Sequence, residues 1–240
     1  MIDPNTLKAA REGDLRALGR AISSIEGSPD THQVERNPSV PIIGITGPPG
    51  VGKSTLANAL IKALRADSRR VGVVAVDPSS PITGGALLGD RIRMQDHIGD
   101  AGVFIRSMAA RGKLGGLSDA TRETAHLLTA SDFDIVLVET VGVGQSEVDV
   151  MDVADLVVLV VAPGWGDQIQ DDKAGIVEIA DLFVINKADR DDAAAVRRAL
   201  NEVAGTGGRD RPVLETVATT GQGVSELLGT IDSLVAESSA

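Results

Sequence analysis

The chain has 240 residues, of which 34 are acidic and 23 basic, so its net charge at pH 7 is −11. A surface this acidic disfavours nucleic acid and anionic membranes, and we predict neither as a partner. Cysteine is absent, which excludes disulfides and thiolate metal sites. The longest strongly apolar run, residues 156–162, is too short to cross a bilayer, and the N-terminus lacks a signal-peptide pattern, so we predict a cytoplasmic protein.

The first 38 residues are predicted to form a helical arm and a linker. Apolar residues recur at helical spacing over residues 5–26, and Gly13 interrupts them. We therefore expect two short helices, with Asp14 as the N-cap of the second. Residues 27–41 are polar and punctuated by proline, which is typical of a linker. Together the arm and linker, residues 1–38, precede a second predicted domain over residues 39–240.

Beyond the linker, apolar runs alternate with helix-like stretches. This alternation predicts an α/β fold with a mostly parallel sheet covered by helices on both faces. With only three Phe and one Trp, the core must consist of aliphatic residues, as is typical of a buried parallel sheet. The predicted strands are residues 40–45, 71–76, 103–105, 135–138, 156–161, 182–185 and 212–217. The predicted helices are residues 54–64, 118–129, 191–203 and 224–235.

Residues 47–54 read Gly-Pro-Pro-Gly-Val-Gly-Lys-Ser and lie between an apolar run and a helix-like stretch. Both the pattern and its context are those of a phosphate-binding loop. Its glycines let backbone N–H groups turn toward an anion, and the start of the following helix adds partial positive charge. Lys53 can reach the β- and γ-phosphates of a nucleotide, and the Ser54 hydroxyl can bind Mg²⁺. The predicted phosphate-binding residues are Gly47, Pro48, Pro49, Gly50, Val51, Gly52, Lys53, Ser54 and Thr55.

Residues 186–189 read Asn-Lys-Ala-Asp and follow the apolar run 182–185. The Asp189 carboxylate can accept hydrogen bonds from N1–H and the exocyclic amine of guanine, a pattern that adenine does not present. Asn186 can brace the loop and meet the base edge, and the alkyl stem of Lys187 can cover the face of the ring. Together with the phosphate loop, this motif predicts binding and hydrolysis of GTP.

Further candidates follow the predicted strands. Asp77 and Glu139 each end an apolar run, where a carboxylate beside a phosphate loop can orient Mg²⁺ or its water ligands. The Gly142 N–H could contact the γ-phosphate, and Asp90 could approach the metal from a switch segment. The alternatives are a helix or turn cap for Asp77, a solvated strand end for Glu139 and a plain flexible loop around Asp90. The predicted metal ligands are Ser54, Asp77, Asp90 and Glu139, and the predicted catalytic residues are Lys53, Asp77, Asp90 and Glu139.

Longer stretches around these motifs resemble the MeaB/ArgK/MMAA group of P-loop GTPases. They include Gly-Ile-Thr-Gly-Pro-Pro-Gly-Val-Gly-Lys-Ser-Thr at 44–55, Val-Asp-Pro-Ser-Ser-Pro at 76–81 and Glu-Thr-Val-Gly-Val-Gly-Gln-Ser-Glu at 139–147. The resemblance implies a chaperone for adenosylcobalamin-dependent acyl-CoA mutases, in which GTP hydrolysis gates cofactor loading and protects the mutase from inactivation. It also implies that residues 163–173 form a third switch loop facing the mutase. By the same resemblance, the phosphate and Mg²⁺ site would consist of Lys53, Ser54, Asp77, Asp90 and Glu139.

Two features depart from the pattern of this group. Its members usually have a helical extension after the last guanine loop that serves in dimerisation, whereas this chain stops near the end of its last predicted helix. We therefore expect that extension to be absent, with a homodimer still possible. The loop that supports guanine reads Val217-Ala218 where Ser-Ala is usual. Because the backbone N–H of Ala218 makes the contact, we expect guanine binding to be retained.

Intrinsic hydrolysis is expected to be slow. Val143 stands where some GTPases have a Gln that orients the attacking water, and its side chain cannot form hydrogen bonds. A reordered loop would then complete the site, and Trp165 in the 163–173 loop is expected to be exposed for a partner. The candidates for this step are Arg91, Arg93, Asp167, Gln170 and Lys173, with a solvated surface loop as the alternative.

Two other functions remain open. A nickel-insertion GTPase of the same class would need metal ligands, and this chain has no Cys and three scattered histidines, His32, His97 and His126. An ArgK-like kinase or ATPase linked to amino-acid transport follows from the older naming of relatives. Retention of a mutase or of a transporter component by the purified protein would separate these functions.

Overall fold

The computed structural model describes residues 2–28, 33–77, 95–97, 99–109, 119–140, 149–165, 177–205 and 210–238. Its strands are β1 (Ile42–Thr46), β2 (Val71–Asp77), β3 (Val103–Ala109), β4 (Ile135–Glu139), β5 (Leu156–Val161), β6 (Leu182–Asn186) and β7 (Val213–Thr216). Its α-helices are α1 (Pro4–Arg11), α2 (Leu15–Gly27), α3 (Lys53–Ala66), α4 (Asp119–Thr129), α5 (Ala193–Ala204) and α6 (Val224–Ser238). Short 3₁₀ helices cover Gln95–His97 and Val150–Asp152. Within these segments no helix has the length and apolar character needed to cross a bilayer.

The seven strands form one sheet in the order β3-β2-β4-β1-β5-β6-β7, and every neighbouring pair is parallel. After β1 the chain continues to β2, β3 and β4 on one side of β1, whereas β5, β6 and β7 lie on its other side. In open α/β sheets, ligands bind outside the carboxyl ends of the strands, at the point where the strand order reverses. The loop after β1 lies at that point. The predicted α/β fold with a parallel sheet is confirmed.

Helices cover both faces of the sheet, as predicted. Side chains along a strand alternate between its two faces. In β5, Val158 belongs to an apolar cluster formed with α3 and α6, whereas Leu159 belongs to one formed with α5. On the face of Leu159, the neighbouring Val157 joins a third cluster that includes α2 and α4. The aliphatic core therefore consists of two layers, one on each side of the sheet.

Helix α2 of the N-terminal arm packs on the sheet rather than extending from it. Asp14 accepts hydrogen bonds from the backbone N–H groups of Arg16 at 2.8 Å and Ala17 at 3.0 Å, and so caps α2 as predicted. These hydrogen bonds, the one from Ala17 more strongly than the one from Arg16, hold the pKa of Asp14 below its usual value. Leu18 and Ile22 are buried in the same cluster as side chains of β2 and β4.

The linker after the arm is held against α4. The Val34 N–H donates to the Glu123 carboxylate at 2.5 Å, and the Asn37 N–H donates to the Thr129 hydroxyl at 3.0 Å. These bonds give partners to two backbone N–H groups of a segment that has no regular structure, of which that of Val34 is buried. The division of the chain into an arm and a domain at residue 38 stays a prediction.

Strand β3 is longer than the apolar pattern predicted. Its seven residues pair along the whole of β2, whereas the prediction ended at residue 105. Arg106 and Ser107 interrupt the apolar run, but β3 is an edge strand, where polar side chains are tolerated. Arg106 forms an ion pair with Glu26 of α2. The polar residue thus joins the arm to the sheet edge.

Candidate functional site

The loops that carry the predicted site residues leave from one edge of the sheet. Because the strands are parallel, the segments that follow β1, β2, β4, β6 and β7 all start at the carboxyl edge. The central position of β1 places the phosphate loop between the carboxylates that end β2 and β4 and the guanine motif that follows β6. The tertiary structure therefore brings these motifs together, although more than 100 residues of sequence separate the phosphate loop from the guanine motif.

Three glycines of the phosphate loop have positive φ angles: 137° for Gly47, 78° for Gly50 and 98° for Gly52. Non-glycine residues rarely adopt this region. At Gly47 a Cβ atom would lie 2.1 Å from the Val160 carbonyl oxygen, and at Gly52 it would lie 2.5 Å from Nδ2 of Asn186. Glycine is required at these two positions both by the backbone angle and by the close approach of neighbouring elements.

The Lys53 side chain is buried in the phosphate loop at the start of α3. Its ammonium group donates hydrogen bonds to the carbonyl oxygens of Gly47 at 2.7 Å and Pro48 at 2.8 Å. The preceding N-cap residue, Gly52, has no side chain that caps the helix. The site thus combines a buried cation, a helix start that no side chain caps, and glycines in the left-handed region beside them. These are the features of an anion-binding site.

Three buried oxygen-bearing side chains lie at the carboxyl edge beside this loop. The Ser54 hydroxyl donates a hydrogen bond to Oε1 of Glu139 at 2.6 Å. Asp77 ends β2, in which Ala75 pairs with Glu139 of β4, so the two carboxylates belong to adjacent strands. The exposed fractions of Ser54, Asp77 and Glu139 are only 4%, 4% and 3%, so all three side chains are buried and Glu139 is not a solvated strand end. Asp90 and Gly142 lie outside the described residues.

Asn186 joins the phosphate loop to the loop after β7. Its Nδ2 donates to the Val51 carbonyl at 2.9 Å. Its Oδ1 accepts hydrogen bonds from the Ala218 N–H at 3.1 Å and from the Thr216 hydroxyl at 3.2 Å. Asn186 is 2% exposed, so its hydrogen bonds are shielded from solvent. One amide therefore fixes two loops relative to each other.

Lys187 makes a second connection to the phosphate loop. Its φ angle is 58°, a conformation that costs a non-glycine residue about 1 kcal/mol or more. Its ammonium donates to the Gly50 carbonyl at 2.6 Å. A pocket opens beside this contact, and its lining includes Thr55, the exposed Asp189 and Ala218. The structure thus places the predicted base-reading carboxylate in a pocket shared with the phosphate loop.

The turn that presents Ala218 depends on two residues that the sequence analysis missed. Thr216 supplies the hydroxyl bonded to Asn186. Gly223 has a φ angle of 76°, and a Cβ atom there would lie 2.1 Å from the Glu215 carbonyl oxygen. The Gly-Gln-Gly sequence at 221–223, which three residues separate from the predicted strand 212–217, is the signal that could have revealed this turn.

One expectation about the predicted third switch loop, residues 163–173, is wrong. Trp165 was expected to be exposed, but it is partly buried and packs against the two core clusters on opposite faces of the sheet. A large aromatic ring at the end of β5 gains more from covering the core edge than from solvent contact. The other residues proposed to complete hydrolysis, together with Val143, lie outside the described residues; the proposed ones are Arg91, Arg93, Asp167, Gln170 and Lys173.

A Gly-rich loop that runs from the central strand of a parallel sheet into a helix, bonded to an Asn-Lys-x-Asp loop, defines a P-loop GTPase. The family model described as "Methylmalonyl Co-A mutase-associated GTPase MeaB" matches residues 31–238, and the chain belongs to this family. It is therefore an enzyme that binds guanine nucleotide and hydrolyses GTP. The predicted family and activity are confirmed.

Relatives from distant organisms support this assignment. A protein of Pyrococcus horikoshii that is named as a GTPase is 51% identical over 234 residues, which cover 92% of this chain and 74% of the relative. The "Methylmalonic aciduria type A homolog, mitochondrial" of Mus musculus is 41% identical over 207 residues, which cover 82% of this chain and 50% of the relative.

Two solved structures have the same fold. The crystal structure of LAO/AO transport system kinase superposes with a TM-score of 0.73 at 27% identity and covers 99% of this chain and 77% of that one. HypB from Helicobacter pylori in complex with nickel superposes with a TM-score of 0.62 and covers 92% of this chain and 95% of that one. Because its identity is 13%, this second likeness concerns the fold alone.

Proposed function

We propose that this GTPase is a chaperone for an adenosylcobalamin-dependent acyl-CoA mutase of the methylmalonyl-CoA mutase type. It gates the loading of the cofactor and protects the mutase from inactivation. The observation that carries the proposal is the family match over residues 31–238, because the family description names this mutase. The name of the mouse relative, which refers to methylmalonic aciduria, fits the same client.

Lys53 and the start of α3 bind the phosphates in this proposal. The buried Lys53 ammonium exchanges the carbonyl oxygens of Gly47 and Pro48 for oxygens of the β- and γ-phosphates. This exchange replaces two neutral acceptors by charged ones, which strengthens each hydrogen bond. The Gly142 N–H contacts the γ-phosphate and so distinguishes GTP from GDP.

The donor set beside the loop fits Mg²⁺. Ser54, Asp77 and Glu139 offer a hydroxyl and two carboxylates, and Mg²⁺ prefers oxygen ligands. The Ser54 hydroxyl, which now donates to Glu139, can turn its oxygen toward the ion, while the two carboxylates hold the ion or its water ligands. Asp90 completes the proposed set. When bound, Mg²⁺ neutralises charge on the β- and γ-phosphates.

Asp189 selects guanine in this proposal. Its carboxylate lines the pocket beside Thr55 and Ala218 and accepts hydrogen bonds from N1–H and the exocyclic amine. The backbone N–H of Ala218 is already bonded to Asn186, so the supporting loop is held in place before the base arrives. When guanine binds, the Ala218 N–H would exchange Asn186 Oδ1 for the edge of the base, and Val217 in place of Ser does not affect this backbone donor.

Turnover measurements test the assigned residues. Lys53→Ala removes the buried cation, and we expect kcat to fall by about 10²-fold or more, as for loss of one transition-state contact. Lys8→Ala, which changes an exposed lysine of α1, serves as the control and should keep normal turnover. Wild-type turnover in all four variants, Lys53→Ala, Asp77→Ala, Asp90→Ala and Glu139→Ala, would refute the site.

Addition of a purified mutase tests the client. If the mutase binds residues 163–173 and this loop then completes the site, GTP turnover should rise by about 10³-fold or more, because a supplied charge or a positioned water has that effect in GTPases. Gln170→Ala and Lys173→Ala should reduce the stimulation and leave nucleotide affinity unchanged. Undiminished stimulation after residues 164–173 are replaced by a Gly/Ser linker would show that another element couples the two proteins.

A role in amino-acid transport is the second candidate, because the structural relative at 27% identity is named a transport system kinase. A kinase of that kind would transfer the γ-phosphate of a nucleotide to a protein. GTP labelled at the γ-phosphate distinguishes the two functions: faster release of inorganic phosphate when a mutase is added supports the chaperone, and transfer of the label to a transporter component supports the kinase.

A further inference from the structure

Gly44, in the middle of β1, leaves no room for any side chain. The strand is fully buried between β4 and β5. A Cβ atom at Gly44 would lie 2.6 Å from Cγ2 of Val150 and 3.1 Å from Cβ of Ala154. The first distance is too short for real carbon atoms, so the 3₁₀ helix that contains Val150 rests directly on the strand backbone. Val150 itself is completely buried there.

Thr140, which follows β4, is hydrogen-bonded to the same strand at the two residues after Gly44. Its backbone N–H donates to the Ile45 carbonyl at 3.0 Å, and its hydroxyl donates to the Thr46 hydroxyl at 3.1 Å. Thr46 is fully buried and Thr140 is 1% exposed. A buried hydroxyl pair of this kind fixes both side chains, because each would lose a partner if the other moved.

These two attachments flank the stretch 141–148, which contains Gly142. Thr140 precedes it and Val150 follows it closely, and both are held by three consecutive residues of β1. The next residue, Gly47, opens the phosphate loop and lies against the Val160 carbonyl, so β1 cannot shift without moving the loop. One strand therefore supports the phosphate loop and both flanks of the segment that carries Gly142.

We propose that Gly44 and Thr46 are positioning residues for GTP hydrolysis. Through them, β1 couples the phosphate loop to the segment that meets the γ-phosphate. This inference rests on the proposed function, in which the 141–148 segment meets the γ-phosphate. Neither residue touches the nucleotide; each acts through Val150 or Thr140. The alternative is that Gly44 and Thr46 serve core packing alone, in which case their replacement lowers stability without changing how GTP is distinguished from GDP.

Gly72 of β2 provides a matched control for Gly44. It is also a buried strand glycine, and a Cβ atom there would lie 3.2 Å from Cδ1 of Leu128. Gly72→Ala therefore crowds the core against Leu128 of α4 and not against Val150. Thr46→Ser, which keeps the hydroxyl, is the matched control for Thr46→Val, which removes it.

The readouts are the dissociation constants of GDP and of a non-hydrolysable GTP analogue, measured by calorimetry, together with kcat, KM and the unfolding midpoint. We expect Gly44→Ala and Thr46→Val to lower kcat and the preference for the analogue over GDP by about two- to thirtyfold, the usual range for residues that couple two sites. KM should change less than kcat. Gly72→Ala and Thr46→Ser should keep the wild-type preference. If Gly44→Ala does not fold, Thr46→Val and Val150→Ala carry the test.

Adding Val150→Ala to Gly44→Ala should restore part of the lost preference, since it removes the methyl group that the new Cβ would meet. A wild-type preference and kcat in folded Gly44→Ala and Thr46→Val, or an equal change in Gly72→Ala, would overturn the inference. Gly142→Pro, which removes the backbone N–H, separates this from the proposed function. If Gly142→Pro alone changes the preference, the coupling through β1 is refuted. If the β1 variants change it and Gly142→Pro does not, the coupling of β1 to the 141–148 stretch stands and the contact of Gly142 is refuted.

Discussion

Replacing Asn186 by Ala should uncouple the phosphate loop from the guanine loop. The amide makes three well-formed hydrogen bonds, to the Val51 carbonyl at 2.9 Å, the Ala218 N–H at 3.1 Å and the Thr216 hydroxyl at 3.2 Å. All three partners are backbone or side-chain groups at a buried site, since Asn186 is only 2% exposed. The variant leaves each of them without its acceptor or donor.

The expected loss of stability follows from these three groups. A buried polar group that loses its partner costs about 1–3 kcal/mol, and water that enters from the neighbouring pocket lowers the cost toward the smaller value. We therefore expect Asn186→Ala to lower the free energy of unfolding by about 3 kcal/mol. That is a large share of the about 5–15 kcal/mol typical of a folded domain. GDP affinity should fall as well, because binding must then order both loops.

Urea unfolding and calorimetric titration with GDP measure these two effects. Asn58→Ala is the matched control, because its amide donates a single long hydrogen bond of 3.4 Å to Asp96 on the helix surface. We expect that variant to change stability by about 0.5 kcal/mol. A loss below about 1 kcal/mol in Asn186→Ala, with unchanged GDP affinity, would refute the reasoning.

Three further results are expected. Gly47→Ala should abolish GDP binding in titrations, because its Cβ atom would lie 2.1 Å from the Val160 carbonyl oxygen. Gly50→Ala should lose less GDP affinity, because a Cβ atom there would have no neighbour within 4 Å. Asp189→Asn should shift preference from guanine to xanthine nucleotides, and equal wild-type affinity for ATP and GTP would contradict the assigned role. Burial holds the pKa of His97 below its usual value of 6.5, so the unfolded chain takes up a proton at this residue more readily than the folded protein. The free energy of unfolding is therefore unaffected by His97 above that pH and falls below it, by at most about 1.4 kcal/mol per pH unit. His97→Gln should therefore flatten the acid side of the urea-stability profile, and an unchanged slope would refute this.

The local chemistry of the site follows from the sequence alone. The phosphate loop is recognisable because its glycines, its lysine and its serine are consecutive, and the adjacent apolar run and helix supply the required context. The N-cap role of Asp14 is equally local, since its acceptor oxygen meets N–H groups two and three residues away. Strand positions are readable for the same reason: four to seven aliphatic residues in a row can be buried on both faces of a sheet.

The pattern of apolar residues predicted the structure less well where a polar residue lies within a strand or where an aromatic residue lies in a loop. Arg106 concealed the second half of β3, because its partner, Glu26, lies 80 residues away in the arm. Trp165 suggested a partner surface, although the ring packs on the protein's own core. In both cases the environment of the side chain depends on elements that are distant along the chain.

Only the tertiary structure decided how the motifs act on one another. The strand order places β1 between β4 and β5, and this order brings Ser54 to Glu139 and Asn186 to Val51 across 85 and 135 residues of sequence. The contact of Gly44 with Val150 likewise arises from packing against a strand backbone, which no periodicity encodes. Local sequence specifies turns, caps and apolar faces, whereas contacts between distant segments depend on how whole elements fill the shared core.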